Sequence, residues 1–215
     1  MAFTYTQNLV DTYGRTVVKR VNSANAESAA LFVNASALGY ALTTLNLTAG
    51  ANNFKIGETV TSAAGGTGIV QHVVNSTAVN IINANGTFGA ANVLTGGTST
   101  KTRVQSGAAV PGARTLSVSK LIYNIGGPAE AKLQIDWEGD GTSNHRPVAV
   151  LSGSGVLELD QLAVRVVNDA VNATGNLLIS TVNWNTNTHY TLIVDIGKMA
   201  GYSGLTLEQN GQLGY

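Results

Sequence analysis

Ala131-Lys132-Leu133-Gln134-Ile135-Asp136-Trp137-Glu138 alternates without a break between side chains that avoid water and side chains that seek it. In an extended chain successive side chains point to opposite faces, so Ala131, Leu133, Ile135 and Trp137 share one face and every charged or amide residue takes the other. That is a strand buried on one side. Tyr190-Thr191-Leu192-Ile193-Val194-Asp195-Ile196 repeats the pattern with Tyr190, Leu192, Val194 and Ile196 inward, and Leu162-Ala163-Val164-Arg165-Val166 does so with Leu162, Val164 and Val166. Leu116 to Ile125, Val148 to Leu151, Val156 to Leu159 and Leu177 to Val182 are further β-branched or apolar runs, bounded by Gly, Asn, Asp or Pro. Short strands separated by turn signals predict an all-β protein built on an antiparallel β-sandwich, jelly-roll or Ig-like. Ser23 to Val33 reads equally well as a helix capped by Ser23 or, through Leu31-Phe32-Val33, as a strand.

Upstream, charge nearly vanishes between residues 49 and 107 while Gly and Thr rise. Phe54-Lys55-Ile56-Gly57-Glu58-Thr59-Val60-Thr61 aligns with Phe88-Gly89-Ala90-Ala91-Asn92-Val93-Leu94-Thr95, and each copy runs into a Gly-rich turn, Gly65-Gly66-Thr67-Gly68 or Gly96-Gly97-Thr98. Between them lie the strands Ile69 to Val74 and Ala78 to Ile82. The expectation is a small closed β module, 49–107, made of two matching hairpin units. It is placed as an insertion into a main sandwich of 1–48 and 108–215, because about 48 residues are too few for a core of their own. Thr16 to Val21 and Ala41 to Leu47 are then expected to complete that sandwich.

Composition narrows the chemistry. The 215 residues carry 12 basic and 12 acidic side chains, only 11% charged, with 44% hydrophobic residues and no Cys. Ordinary domains are about 25% charged, so Ser, Thr, Asn, Gln and Gly must cover this surface, and such a surface does not repel a copy of itself. Without Cys there is no disulfide framework, thiolate metal site or thiol nucleophile. Zero net charge argues against a general nucleic-acid binder. Met1 to Gln7 lacks the basic and apolar segments of a secretory signal, and no 18-residue apolar stretch suggests a membrane span, so synthesis in a host cytoplasm is expected.

Leu116 to Tyr123, Leu133-Gln134-Ile135-Asp136-Trp137, Leu151-Ser152-Gly153-Ser154-Gly155, Ala173-Thr174-Gly175-Asn176-Leu177 and His189 to Lys198 occur in an order that resembles small β-sandwich virion proteins of tailed bacteriophages. Phe54-Lys55-Ile56-Gly57-Glu58-Thr59-Val60-Thr61 likewise resembles Gly-Glu-Thr-Val-rich modules in structural proteins of large marine and cyanobacterial phages. The resemblance implies a virion structural protein. At Asn176 an acidic residue is expected, so a shared charged site there is in doubt.

Candidate chemistry is sparse. Asp136-Trp137-Glu138-Gly139-Asp140-Gly141 matches the opening of a calcium loop, but the acid required at the twelfth position is Pro147, and a hairpin tip is the better reading. His72, His145 and His189 are not at metal-ligand spacing. Ser152-Gly153-Ser154-Gly155 lacks the first Gly of a nucleophile elbow, and the Gly-rich turns lack the Lys of a phosphate loop. Glu158, Asp160 and Asp169 are not marked as a pair. No catalytic residue, cofactor or metal site is assigned, and no small-molecule substrate, nucleic acid or membrane partner is expected.

The expectation is a non-enzymatic capsid decoration (cement) protein on the capsid exterior. Its partners would be the major capsid protein and copies of itself, as a homo-oligomer, a trimer at a local threefold being the first choice. Met1 to Val10 and Leu205 to Tyr215 are expected to extend as arms across neighbours, with Leu205, Leu207, Leu213 and Tyr215 as contacts. The alternatives are a tail or baseplate component and a carbohydrate-binding module. The last needs a row of exposed aromatics, which Trp137, reading inward, and Trp184, alone in its segment, do not provide.

Overall fold

The computed structural model describes residues 2–202 apart from 24, 52–53, 113, 142–143, 160–165, 168–171 and 200. The fold is all-β with antiparallel pairing throughout the described strands, and a short 3-10 turn spans Ala35–Ala37. The chain divides into two compact units. One comprises Met1–Leu38 and Arg114–Ala200; the other comprises Gly39–Ala113 and the chain after Ala200, of which Gly201 and Tyr202 are described.

The first unit is the sandwich. One sheet orders β1 (Phe3–Asp11), β2 (Arg15–Ser23), β17 (His189–Lys198), β11 (Leu116–Gly126) and β14 (Ser154–Glu158), with β15 (Val166–Val167) also on β11. The other orders β13 (Arg146–Leu151), β12 (Lys132–Trp137), β16 (Leu177–Val182) and β3 (Ala30–Val33). Alternation decides the inward faces. Tyr190, Leu192, Val194 and Ile196 of β17 and Leu133, Ile135 and Trp137 of β12 are all at most 1% exposed, as their spacing predicts. Each such side chain contributes about 1.5–3 kcal/mol by leaving water.

Within the segment Ser23 to Val33 the strand reading holds for its end: β3, Ala30–Val33, pairs with β16, Leu177 opposite Val33 and Ile179 opposite Ala30. Of Leu162 to Val166, only Val166 lies within the described residues. Of Met1 to Val10, expected as an arm across neighbours, Phe3 to Val10 instead form a strand of the chain's own sheet. β1 pairs with β2 from Phe3 opposite Ser23 to Asp11 opposite Thr16, closed by a turn in which Thr12 N donates to Arg15 O at 2.8 Å. The arm expected at Leu205, Leu207, Leu213 and Tyr215 lies outside the described residues.

The second unit orders β10 (Val110–Pro111), β4 (Thr43–Asn46), β7 (Ala78–Asn85), β6 (Thr67–Asn75), β5 (Thr59–Ser62), β8 (Val93–Gly96) and β9 (Thr102–Val104). β9 runs on to Gln105 and β4 to Leu47, and these two residues meet in an antiparallel bridge. Thr48 N donates to Val104 O at 2.9 Å and Ser106 N to Asn46 O at 2.8 Å. The sheet thereby closes on itself as a small barrel, and closure removes the unpaired edges. Leu45, Leu47, Phe54, Val60, Val70, Val79, Ile81 and Leu94 form its core, with Phe88 packed against them.

This overturns one expectation. Ala41 to Leu47 does not complete the sandwich, because Leu45 pairs with Val79 and is sealed among barrel side chains. The interruption of the sandwich accordingly runs from Gly39 to Ala113 rather than from 49 to 107. On the sandwich side of the interruption, Ala35 and Arg114 both approach Gly175, whose φ is +86°: a Cβ there would lie 2.9 Å from both the Ala35 Cβ and the Arg114 carbonyl oxygen.

The two sequence repeats are two halves of the barrel. β5 lies antiparallel to β8 with Thr61 opposite Thr95, its own counterpart. Ala63 N donates to Val93 O at 2.9 Å and Gly97 N to Thr59 O at 2.8 Å, the same bond with the halves exchanged. A local twofold axis between β5 and β8 accounts for this reciprocity. The match extends to the backbone: Gly57 and Ala91 have φ of +83° and +63°, and Gly65 and Thr100 have +90° and +54°. The second turn is one residue longer, since Ser62 N bonds Gly66 O while Gly96 N bonds Lys101 O.

Candidate functional site

The residues singled out for catalytic or ligand-binding potential lie at turns, in hydrogen bonds with neighbours, or apart from one another. In the Ser152 to Gly155 segment, Gly153 turns the chain between β13 and β14 with φ of +66°. Gly155 lies under Tyr123, whose Oη would be 2.9 Å from any Cβ placed there. Asp136 is 4% exposed and accepts from Gln134 Nε2 at 2.9 and 3.1 Å. Glu138 accepts from Thr174 Oγ1 at 2.6 Å and Asn176 Nδ2 at 2.7 Å, and Asp140 from Asn172 Nδ2 at 3.1 Å. The acids of the calcium-like run are thus each engaged with a different partner. Among the described residues no three His, Cys, Asp or Glu side chains gather as a metal site. His72 and His189 are exposed on separate units, and His145 is half-buried.

Asn176 has a reason to be an amide. Its Nδ2 donates to Glu138 while its Oδ1 accepts from Ala35 N at 2.8 Å. A carboxylate could take the second bond but would repel Glu138 in place of the first.

Charges that sequence reading left unassigned form a buried cluster in the sandwich. Arg20, 8% exposed, donates from Nε and Nη2 to Glu27 Oε1, from Nε to Tyr190 Oη at 3.0 Å, and from Nη1 to Thr6 Oγ1 at 3.0 Å and Leu31 O at 3.3 Å. Tyr190 Oη donates to Glu27 Oε2. Burial, then the bond to Glu27, pushes the Tyr190 hydroxyl far above its ordinary range. Burial alone would lower Arg20, but the hydrogen bond and charge of Glu27 outweigh it and raise the guanidinium. The cluster ties β1, β3 and β17 together.

Glu58 plays the corresponding part in the barrel. It is 4% exposed, and its carboxylate accepts from Lys55 N at 2.6 Å, Thr98 N at 3.1 Å, Ser99 N at 2.7 Å and Ser99 Oγ at 2.9 Å. Burial raises its pKa, but the bonds from Ser99, Lys55 and Thr98 outweigh this and hold it below 4.5. The acid of the first repeat thus grips the turn of the second. At the matching position Asn92 only bonds back to Gly89 O, through Nδ2 at 3.1 Å.

A groove of about 360 Å³ crosses the outer face of the larger sandwich sheet, lined by Gly14, Arg15, Ser117, Ser119, Asp195 and Gly197 among others. Arg15 holds Asp195 by two bonds, Nε to Oδ1 at 2.7 Å and Nη2 to Oδ2 at 2.5 Å, and Ser119 Oγ donates to the Asp195 carbonyl at 3.1 Å. Lys198 turns its ammonium inward to Asp11 and to Thr12 O. The serines of the groove have no histidine among the lining residues, and the one carboxylate is committed to Arg15.

What the surface does offer is a row that composition hid. Phe3, Tyr5, Leu9, Val10 and the turn residue Tyr13 are 51, 53, 45, 38 and 42% exposed. Phe3 and Tyr5 point the same way on β1, opposite Ser23 and Val21 of β2. Trp137 is fully buried, and Trp184 packs edge-on to Tyr190 with ring centroids 5.8 Å apart. No helix among the described residues is long and apolar enough to cross a membrane. Neither a protein-family model nor a curated protein matches this sequence.

Proposed function

We propose that this chain is a non-enzymatic structural protein of a tailed-bacteriophage virion, a capsid decoration (cement) protein that binds the capsid exterior and stabilises the lattice of the major capsid protein. The observation that carries the reading is the exposed row Phe3, Tyr5, Leu9 and Val10 on a strand already fixed in a sandwich. Large apolar side chains on a rigid element suit the binding of protein, since little ordering entropy remains to be lost on contact. The sparse, balanced charge, 12 basic against 12 acidic groups, supports packing beside copies of the same chain and disfavours nucleic acid. The resemblance of the strand and turn segments to phage sandwich proteins points the same way. Leu205, Leu207, Leu213 and Tyr215 belong to this reading as proposed capsid contacts.

Electron microscopy of particles with and without the protein tests the proposal. Difference density repeated over the shell supports it. Density confined to the tail or baseplate replaces it with the alternative reading, and its absence from particles removes both.

A further inference from the structure

Among the described residues, every sheet edge is short, charged, interrupted by proline or closed, except one. Closure by Leu47 and Gln105 seals the barrel, and β10 beside it is two residues long and ends in Pro111. In the sandwich, β3 has four residues, β14 has five with Glu158 tied to Lys120, and β13 carries Arg146 and Pro147 beside a bulge. Such features keep edges from pairing with foreign strands. β1 has none of them over most of its length. It runs nine residues, Phe3–Asp11, with no charge before Asp11, no proline, and eight of its residues exposed. Among the described residues it has a neighbour on one side only, β2. It is also held in place: Arg20 Nη1 fastens Thr6 Oγ1 from the buried cluster, and the register with β2 is unbroken from Phe3 to Asn8.

We propose that β1 is a self-association edge, on which β1 of a second copy of this chain pairs antiparallel to join two sandwich sheets into one. Charge is the reason for choosing a second copy as the occupant. An uncharged strand offers nothing to select a charged partner, and two copies bring no like charges together, because Asp11 lies beyond the paired stretch. Facing residues of paired strands share a side of the sheet, so a twofold that keeps both outer faces continuous sets odd residues against odd ones. Tyr5 then faces Tyr5 or Gln7 of the other copy. The irregularity between Asn8 and Val10 limits the flat stretch to Phe3 to Asn8, about 20 Å of edge. A contact this short falls below the size of a standard stable interface, so the dimer forms reversibly with concentration and becomes firm only where copies are held side by side. An isologous edge closes at two copies, so it replaces the expected trimer with a dimer. The inference rests on one part of the proposed function, association with like copies, and on no location in a virion.

Sedimentation velocity of the full chain over a concentration series tests it. The intact protein is expected to pass from monomer to dimer. The double variant Tyr5→Lys with Gln7→Lys, which alters two outward positions, is expected to weaken the dimer about tenfold or more through like charges across the seam. Mixing it with Tyr5→Glu/Gln7→Glu should restore a mixed dimer, a result that misfolded chains could not give. An intact chain that stays monomeric or forms trimers, a dimer indifferent to the lysines, or a mixture that stays monomeric overturns the inference. So does a monomer whose β1 captures a strand of capsid protein instead, although the proposed function would then stand. A dimer that fails to attach to particles leaves this inference intact and removes the capsid reading.

Discussion

In the sandwich, Leu133, Ile135 and Trp137 are sealed by strands from distant parts of the sequence, whereas in the barrel Phe54, Val60, Phe88 and Leu94 come from two copies of one hairpin. Each region also buries charge, and in different ways. The sandwich holds a cation, an anion and a phenol that satisfy one another, Arg20, Glu27 and Tyr190. The barrel holds a lone carboxylate, Glu58, satisfied by backbone N–H groups and one hydroxyl. A core joined across long sequence separations needs a specific polar tie to fix which elements meet. A core built from two matching halves needs only to tell them apart.

The largest effect expected from this contrast follows from removing one region. Excising Gly39–Ala113 and joining Leu38 to Arg114 through a short Gly-Ser link should abolish the barrel's unfolding transition and leave the sandwich cooperative in calorimetry. The flanking sandwich residues Ala35 and Arg114 both lie against Gly175, and each doubling of a loop costs only about 0.6 kcal/mol. A narrower excision of 51–105 should be worse tolerated, because it strands β4 and β10 without their sheet. Loss of cooperativity in the wider excision would mean that the sandwich depends on the barrel for its core.

Next comes the buried cluster. Glu27→Ala leaves Arg20 charged and unpaired, which should lower the stability of the sandwich by about 3–5 kcal/mol. The apolar triple replacement Arg20→Met, Glu27→Leu, Tyr190→Phe should recover most of that loss, since no buried charge remains. Denaturant unfolding of the two variants checks both, and a single variant losing under about 1 kcal/mol would show that the cluster is not sealed.

Glu58 makes the barrel sensitive to acid. Its folded pKa lies below its ordinary value of 4.5, so the unfolded chain takes up a proton first as pH falls. Its contribution is fully present above pH 4.5 and is lost as pH drops through the depressed folded value. Glu58→Gln should cost about 1–3 kcal/mol at neutral pH and flatten that acid limb. A variant whose pH profile matches that of the intact chain would assign the acid sensitivity elsewhere.

The smallest expected effect concerns the mismatch between halves. Thr100 adopts φ of +54° where its counterpart Gly65 has +90°. A β-branched residue is strained in that region, so Thr100→Gly should stabilise the barrel by about 1 kcal/mol in thermal unfolding. No gain would mean that the Thr100 Oγ1 bond to Ser99 O, 2.7 Å long, offsets the strain.

Strands with one buried face were readable because a period of two survives any rearrangement of neighbours: Leu133, Ile135 and Trp137 must share a side whatever lies opposite. The same fact explains the error at Ala41 to Leu47. Thr43 and Leu45 alternate correctly for a strand, but alternation does not name the sheet it joins. β1 was hard to recognise because its side chains are exposed on both faces, so Phe3 and Tyr5 read as part of a loose end. The cluster was invisible for another reason. Arg20 and Tyr190 stand 170 positions apart, and an arginine within Val18-Lys19-Arg20-Val21 reads as part of a solvated face. The candidate interaction row was therefore legible only once β1 had a place in the sheet.

The twofold relation within the barrel also means that the chain carries an internal control. Phe54 and Phe88, or Thr61 and Thr95, show which positions the shared shape holds fixed in both halves. Glu58 and Asn92, or Gly65 and Thr100, show which positions the same backbone leaves open to a different side chain. A single molecule thus performs the comparison of one shape under two sequences.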